Sequence, residues 1–564
     1  MQQHVFSIAA TCKLLGIKHV VMSPGSRSAP LVFAFAGNGN FIVHPVPDER
    51  SAAYVALGIA QQTQVPVVLF CTSGTAAANY LPAVAEAFYQ RIPLVVLTAD
   101  RPPELLNQQD GQMINQQHLF GNHVRAFYQL NETGINKTAK TIAEAIIKAN
   151  SAVKGPVHIN LPFVEPLYPA KIDGKVFAKT ESAIRLWLDN KLNSKAFASP
   201  QNALSALRAA WAASPNKLIL IGQSIMNEKW ITPLLKLSQQ NNVVILADVV
   251  SNQQQFTTAP YFDKLISAAD PETLQQLQPD LLVSFGGPLL SKSLKNWLTK
   301  QKPTHHFRIQ PEPEPINTYG NLTGLIHAKP EQVLNDLAET GPGEKQGTDY
   351  TSTWKNANDK LGLHISSFIN KKVWSEMHAT EIVLRHLPQG CNLQLANSSV
   401  VRYVSLLGVK DHSIIVNSNR GTSGIDGCTS TAVGAAKVNL RPTVLLTGDL
   451  AFLYDKNGLW LNDIPANLRI IVFNNNGGGI FTLIDGPSKY KAYRNYFTTP
   501  TPQQIKLTAQ QSGLDYYFCA TLSGLKKTIG QFLDPGTNKA AILELKFDMN
   551  ENAKIFQQFK RIKL

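Results

Sequence analysis

Two short polar strings in this 564-residue chain could together hold an anion and a divalent cation. Gly448-Asp449 follows the apolar run Thr443 to Thr447, and Asn474-Asn475-Asn476-Gly477-Gly478-Gly479 follows the apolar run Arg469 to Phe473. Each run has the length and composition of a buried strand, so two strand ends offer a carboxylate, amide oxygens and exposed backbone carbonyls. Magnesium is hard, prefers oxygen, keeps few protein ligands and shares its shell with phosphate oxygens. The expected ligands are Asp449, the Asn475 side chain and the Gly477 carbonyl, and glycines such as Gly448 and Gly478 let backbone approach a diphosphate closely. Asp, Asn and Gly also dominate ordinary turns, and either string alone would be taken for one. Their joint placement, a helix and a strand apart, is what points to chemistry.

The elements that must position these strings alternate between short apolar runs and amphipathic stretches, the pattern of parallel β/α units. Strands are expected at Lys18 to Ser23, Phe41 to Val46, Val65 to Cys71, Ile92 to Ala99 and Val157 to Leu161, with helices between them such as Ser51 to Gln62 and Thr75 to Tyr89. A polar connector, Asn190 to Gln201, precedes a second series at Leu218 to Ile221, Val243 to Ala247, Leu281 to Phe285 and His306 to Ile309. A Gly-rich, charged stretch from Thr340 to Gly347 precedes a third, at Leu393 to Ala396, Ile414 to Asn417, Thr443 to Thr447, Arg469 to Phe473 and Ala541 to Leu545. The fold class expected is α/β, three successive doubly wound parallel-sheet domains over residues 1–185, 186–345 and 346–564. Ligands in such sheets bind beyond the carboxyl ends of the strands, where both polar strings lie.

Composition narrows the classes further. The chain is 44% hydrophobic and 16% charged, as in an ordinary globular protein. Met1 to Phe6 lacks the basic flank and apolar core of a signal peptide and no apolar run approaches bilayer length, so a cytoplasmic protein without a membrane partner is expected. Cys12, Cys71, Cys391, Cys428 and Cys519 are far apart, which indicates neither a disulfide framework nor a zinc site. His305 and His306 sit in an expected strand without a third ligand, and a structural role is assigned to them. The net charge of +14 raises nucleic acid or anionic metabolites as partners. It is diffuse, and the one basic, aromatic-interleaved stretch, Lys489 to Phe497, suits a half-buried loop or helix face, so no nucleic-acid partner is expected. The P-loop and HExxH patterns are absent.

The paired strings resemble the thiamine-diphosphate motif that begins Gly-Asp-Gly and ends Asn-Asn, with Leu450 replacing the second glycine. Four stretches narrow the resemblance: Ser23-Pro24-Gly25-Ser26-Arg27-Ser28, Thr98-Ala99-Asp100-Arg101-Pro102-Pro103-Glu104, Ser418-Asn419-Arg420-Gly421-Thr422-Ser423-Gly424-Ile425-Asp426-Gly427 and Asn475 to Phe481. All are similar to signatures of the 2-succinyl-5-enolpyruvyl-6-hydroxy-3-cyclohexene-1-carboxylate synthases of menaquinone biosynthesis, along the whole chain and most densely in the first and third domains.

That resemblance implies a transferase using thiamine diphosphate and Mg2+ or Mn2+, which decarboxylates 2-oxoglutarate and adds the succinyl-semialdehyde carbanion to isochorismate. The alternative is another thiamine-diphosphate decarboxylase or carboligase, which would share the cofactor strings but not the arginine-bearing ones. A non-catalytic nucleic-acid binder would use the charge but leave both strand ends unexplained.

Residue by residue, the resemblance makes Glu49 the carboxylate that hydrogen-bonds the cofactor's aminopyrimidine, although Glu49 or Asp48 could equally serve a helix N-terminus. It assigns the two dianionic substrates to Arg27, Arg101, Arg402 and Arg420, since Arg suits bidentate carboxylate recognition. Gln112 faces the reacting carbon, with Gly111 where an asparagine is usual. Ser26, Ser398 and Lys292 contact substrate, Ser293 replacing a second basic residue beside Lys292. Ile425 bends the cofactor, Leu450 lies beside it, and Ile480 and Phe481 form an apolar wall. Because Glu49 and the diphosphate site lie in different domains, the family pairs them across subunits, which implies a homodimer at minimum and admits a tetramer.

Overall fold

The computed structural model describes residues 3–37, 39–131, 134–168, 175–191, 201–341, 349–484, 486, 489–490, 492 and 494–564. Most of the Asn190 to Gln201 connector and of the Thr340 to Gly347 boundary therefore falls outside the described residues.

Three sheets carry the fold, and every strand pairing among the described residues is parallel. The first contains β1 (His19–Ser23), β2 (Ile42–Pro45), β3 (Val67–Cys71), β4 (Leu94–Asp100), β5 (Phe127–Gln129) and β6 (Val157–Pro162), in the order β2-β1-β3-β4-β6-β5. The second contains β7 (Lys217–Ile221), β8 (Val243–Ala247), β9 (Leu281–Phe285), β10 (His305–Ile309) and β11 (Gly324–Ile326), in the order β11-β10-β9-β7-β8. The third contains β12 (Asn392–Leu395), β13 (Ile415–Ser418), β14 (Thr443–Gly448), β15 (Leu468–Asn474), β16 (Asp515–Cys519) and β17 (Ala541–Lys546), in the order β13-β12-β14-β15-β17-β16. The three α/β units expected are thus present, and the outer two share one strand order. Buried parallel strands read as continuous apolar runs, and β3, β7, β8 and β9 are buried at every residue.

Three strands were not expected from sequence: β5, β11 and β16. Each is the edge of its sheet and mostly half-exposed, so it lacks the apolar run that marked the others. The stretch Thr75 to Tyr89 is two helices, Thr75–Asn79 and Leu81–Gln90, divided at Tyr80 ahead of Pro82. Proline has no N–H to continue a helix and is favoured in its first turn. His306 is buried in β10 with a ring nitrogen 2.8 Å from Ser284 Oγ, a structural histidine as expected. Around the basic stretch, Lys491 and Tyr493 lie outside the described residues, and Tyr490 and Tyr496 are exposed.

The helices Glu49–Thr63 and Cys428–Val438 lock the first and third units together. A Cβ on Gly58 would lie 2.1 Å from the Thr431 carbonyl oxygen, and one on Gly434 would lie 2.1 Å from that of Val55, so the two backbones touch only because both positions are glycine. One apolar core runs through this contact, from Val21 and Leu69 to Leu445 and Ile470. The middle unit is pinned to the third by Asn252, whose amide donates to the Val416 carbonyl at 3.1 Å and accepts its N–H at 2.7 Å.

Candidate active site

In both outer sheets the strand order reverses beside the first strand, between β1 and β3 and between β12 and β14. Such a reversal opens a crevice at the carboxyl ends of the strands. Ser26 and Arg27 follow β1, Glu49 follows β2, and Arg101 and Gln112 follow β4. In the third unit Ser398 and Arg402 follow β12, Arg420 and Ile425 follow β13, Asp449 follows β14, and Asn475 to Phe481 follow β15.

The third-unit residues build one polar wall. Asp449, 3% exposed, accepts the backbone N–H of Leu450 through Oδ1 and of Gly477 through Oδ2, both at 2.8 Å. Burial pushes its carboxyl up to about 6, with the Gly477 and Leu450 amides opposing. Asn475 donates through Nδ2 to Glu376 Oε1 at 2.6 Å, while its Oδ1 is buried without a hydrogen-bond partner. The glycines fit this crowding. Gly477 has φ +141° and a Cβ there would meet the Thr498 carbonyl oxygen at 2.3 Å; one on Gly479 would meet Asn475 Nδ2 at 2.4 Å. Gly478 donates to the Thr498 carbonyl at 2.6 Å. Gly448 is different, because nothing lies within 4 Å of where its Cβ would be. Its position is open space beside the carboxylate, and Leu450 is half-buried.

An oriented carboxylate, an orphaned amide oxygen and a backbone carbonyl are hard donors, and they fit magnesium bound to a diphosphate. Among the described residues no three His, Cys, Asp or Glu side chains are grouped to hold a metal.

Ser398 takes φ +82°, a strained conformation for a residue with a side chain, and its carbonyl accepts Arg402 Nη1 at 2.7 Å. Arg402 is exposed, on the helix Ser399–Leu407. Arg420 donates through Nη1 to Asn397 Oδ1 at 2.7 Å, and its Nε is buried without a partner. The Asn397 amide also donates to the carbonyls of Asn419 and Gly424, at 2.7 and 2.6 Å, clamping the loop on both sides of Arg420. Glu86, on Leu81–Gln90 of the first unit, accepts Gly421 N–H at 2.7 Å and both the N–H and hydroxyl of Thr422 at 2.6 Å. Tyr54 donates to Asp426 at 2.5 Å. The loop bearing Arg420 and Ile425 is thereby held from three directions, with Ile425 38% exposed.

The middle unit contributes two carboxylates that sequence did not single out. Burial pushes the Asp248 carboxyl up to about 6, two backbone amides and more weakly the nearby Arg420 opposing it. Burial likewise raises Asp263, which accepts the Ser291 hydroxyl at 2.6 Å and feels the Arg402 charge. Lys292 begins the helix Lys292–Gln301 and is exposed. Phe481 packs on Phe497 with ring centroids 5.6 Å apart, and Ile480 is half-buried beside it.

The first-unit residues form a second group. Arg27 donates to the Phe163 carbonyl at 3.0 Å and pairs with Glu165 at 3.3 Å, while Ser26 is exposed. Arg101 pairs with Asp110 at 2.7 Å and keeps a buried, unpartnered Nε. Gln112 is exposed at φ +54°, its backbone against Gly74. Gln116 holds this region together, accepting Gly74 N–H at 2.8 Å and donating to the Ala99 carbonyl at 3.1 Å.

Glu49 is the first residue of its helix and half-buried. The helix cap is Asp48, which accepts Ser51 N–H at 3.1 Å and the Asn457 amide at 2.7 Å. Arg50 donates to the Tyr454 carbonyl at 2.7 Å and stacks over its ring. Between these two committed neighbours, the Glu49 side chain makes no hydrogen bond or ion pair among the described residues. Nor does any such bond join Glu49, Arg27, Arg101 or Gln112 to Asp449, Asn475, Arg402 or Arg420.

Sequence reasoning missed Glu376, Glu86, Asn397, Tyr54, Asp248 and Asp263. Each acts through a partner distant in sequence, which spacing does not encode.

Comparison with known proteins accounts for this architecture. Residues 5–119 match the N-terminal TPP binding domain of thiamine pyrophosphate enzymes, and residues 181–395 match the middle domain of thiamine pyrophosphate enzymes. The 2-succinyl-5-enolpyruvyl-6-hydroxy-3-cyclohexene-1-carboxylate synthase of Cytophaga hutchinsonii is 38% identical over 99% of this chain and 98% of its own length. The synthases of that name from Flavobacterium johnsoniae and Desulfotalea psychrophila are 37% and 36% identical, over 98% and 92% of this chain and 97% and 94% of their own lengths. With that likeness running through both crevices and the unit between them, the chain belongs to the 2-succinyl-5-enolpyruvyl-6-hydroxy-3-cyclohexene-1-carboxylate synthase family of thiamine-pyrophosphate enzymes.

Proposed function

We propose that this protein decarboxylates 2-oxoglutarate and adds the resulting four-carbon unit to isochorismate, giving 2-succinyl-5-enolpyruvyl-6-hydroxy-3-cyclohexene-1-carboxylate in menaquinone biosynthesis. When bound, thiamine diphosphate supplies the carbon nucleophile and electron sink that a 2-oxo acid needs to lose carbon dioxide. The observation that carries the proposal is the meeting of Asp449 and Gly477 across two strand ends, beside an Asn475 oxygen without a partner.

Asp449, Asn475 and the Gly477 carbonyl hold Mg2+, or Mn2+ in its place, while the open position at Gly448 and the backbone of Gly478 admit the diphosphate. Glu49 offers a free carboxylate oxygen to the aminopyrimidine and holds the proton there. Ile425 supports the cofactor from the loop that Glu86 and Asn397 fix. Arg402 and Arg420 take substrate carboxylates from one side, with Ser398, Lys292, Ile480 and Phe481 around them. Arg27, Arg101, Ser26 and Gln112 complete the pocket from the other. A site closed to bulk water is required, because protonating the four-carbon unit before its transfer would release succinic semialdehyde instead of product.

Because the family pairs the glutamate of one domain with the diphosphate site of another across subunits, the active unit is a homodimer in which each site takes one group from each subunit, and two such dimers make a tetramer. The enzyme works in the cytoplasm on small molecules. Incubating the purified protein with thiamine diphosphate, Mg2+, 2-oxoglutarate and isochorismate, then identifying the product by mass, tests the proposal. Formation of succinic semialdehyde alone, with isochorismate unconsumed, would refute it.

A further inference from the structure

One buried carboxylate beside the metal wall has no part in the reaction as proposed. Glu376 begins the helix Glu376–His386 and is 1% exposed. Its backbone N–H donates to Asn552 Oδ1 at 3.0 Å, and the Asn552 amide donates to the Tyr403 hydroxyl at 3.2 Å, which fixes the start of this helix within a buried network. From that fixed point Glu376 Oε1 accepts Asn475 Nδ2 at 2.6 Å.

A primary amide has two ends of nearly equal shape and opposite hydrogen-bonding sense, so its orientation is set by its neighbours. A carboxylate oxygen only accepts, and it therefore selects the NH2 end of Asn475. The carbonyl oxygen must then face away from Glu376, and it is this oxygen that is buried without any protein partner. An unpaired buried acceptor is unfavourable unless a cation or donor arrives there. Asp449 and Gly477 close the same wall through their own 2.8 Å bond. Gly479 leaves the room the amide occupies, since a Cβ there would lie 2.4 Å from Nδ2.

We propose that Glu376 is a positioning residue that turns the Asn475 oxygen, rather than its NH2 group, toward the metal position. This rests on Asn475 being a metal ligand. Replacing Glu376 by Gln keeps the volume but offers both a donor and an acceptor, so the Asn475 orientation is no longer dictated. Asp at position 475 presents oxygen whichever way it turns, which makes the orienting group unnecessary.

Mg2+ is titrated calorimetrically into wild type, Glu376→Gln, Asn475→Asp with Glu376→Gln, and Asp449→Ala, each at saturating thiamine diphosphate. Glu376→Gln should bind Mg2+ about 10 to 100-fold more weakly, the usual effect of losing a partner behind a metal ligand. The double variant should return to within about threefold of wild type, a rescue that a merely structural role for Glu376 would not give. Unchanged affinity in Glu376→Gln, or a double variant as weak as Glu376→Gln alone, would overturn the inference. If Glu376→Gln does not fold, the double variant decides by itself, and binding more than about tenfold weaker than wild type would count against Glu376. Asp449→Ala separates the two levels: wild-type affinity there would refute the metal site itself, whereas lost affinity there with none lost in Glu376→Gln would refute only the role of Glu376.

Discussion

Asp48 accepts the N–H of Ser51 at 3.1 Å, so the cap of the helix Glu49–Thr63 is Asp48 and its neighbour Glu49 is free of that duty. Two adjacent carboxylates at one strand end are thereby divided into a structural one and an uncommitted one. Asp48→Ala should cost about 0.5 to 2 kcal/mol of stability in thermal or denaturant unfolding, the usual range for a lost cap, with cofactor affinity kept within about threefold.

Asp449→Ala should abolish productive cofactor binding, because Asp449 is the one carboxylate in the two polar strings that follow β14 and β15. Calorimetric titration of thiamine diphosphate with Mg2+ present checks this. Chelating the metal from wild type should have the same effect, reversed on adding Mg2+ back.

Arg402→Ala and Arg420→Ala should impair use of the dianionic substrates far more than cofactor binding. Loss of a charged hydrogen bond in a buried site costs roughly 2 to 5 kcal/mol, so kcat/KM should fall by about 30-fold or more. Arg420 should show the larger loss, since its guanidinium is fixed by Asn397 whereas Arg402 is exposed. Steady-state kinetics at limiting 2-oxoglutarate and at limiting isochorismate measure both.

Glu86→Ala removes the acceptor of three hydrogen bonds from Gly421 and Thr422 without touching any of the proposed ligands. The loop that carries Arg420 would lose its anchor in the first unit. We expect kcat/KM to drop by about tenfold or more with thiamine-diphosphate affinity within about threefold of wild type, and restoration of a hydrogen-bonding group in Glu86→Gln to recover part of the loss.

What sequence conveyed and what it did not has a physical division. Central strands such as Val67–Cys71 are buried on both faces and announce themselves as apolar runs, whereas Phe127–Gln129, Gly324–Ile326 and Asp515–Cys519 are sheet edges and do not. The Asp449 and Asn475 strings stood out in sequence because glycine and polar residues cluster at these two strand ends, and the structure joins them through the Asp449–Gly477 bond. Glu376, Glu86 and Asn397 were not, because each acts through a residue 99, 335 or 22 positions away and looks ordinary in its own helix or loop. Choosing between Asp48 and Glu49 needed the cap geometry itself.

The central claim is that Glu49 activates the cofactor, and hydrogen exchange at C2 of bound thiamine diphosphate reports that step without either substrate. Glu49→Gln keeps size and hydrogen-bonding capacity but removes the carboxylate, so at saturating cofactor its exchange should slow by roughly two to four orders of magnitude. Asp48→Asn, which retains a capping side chain at the same strand end, should exchange nearly as wild type. Equal exchange rates in Glu49→Gln and wild type would contradict the account.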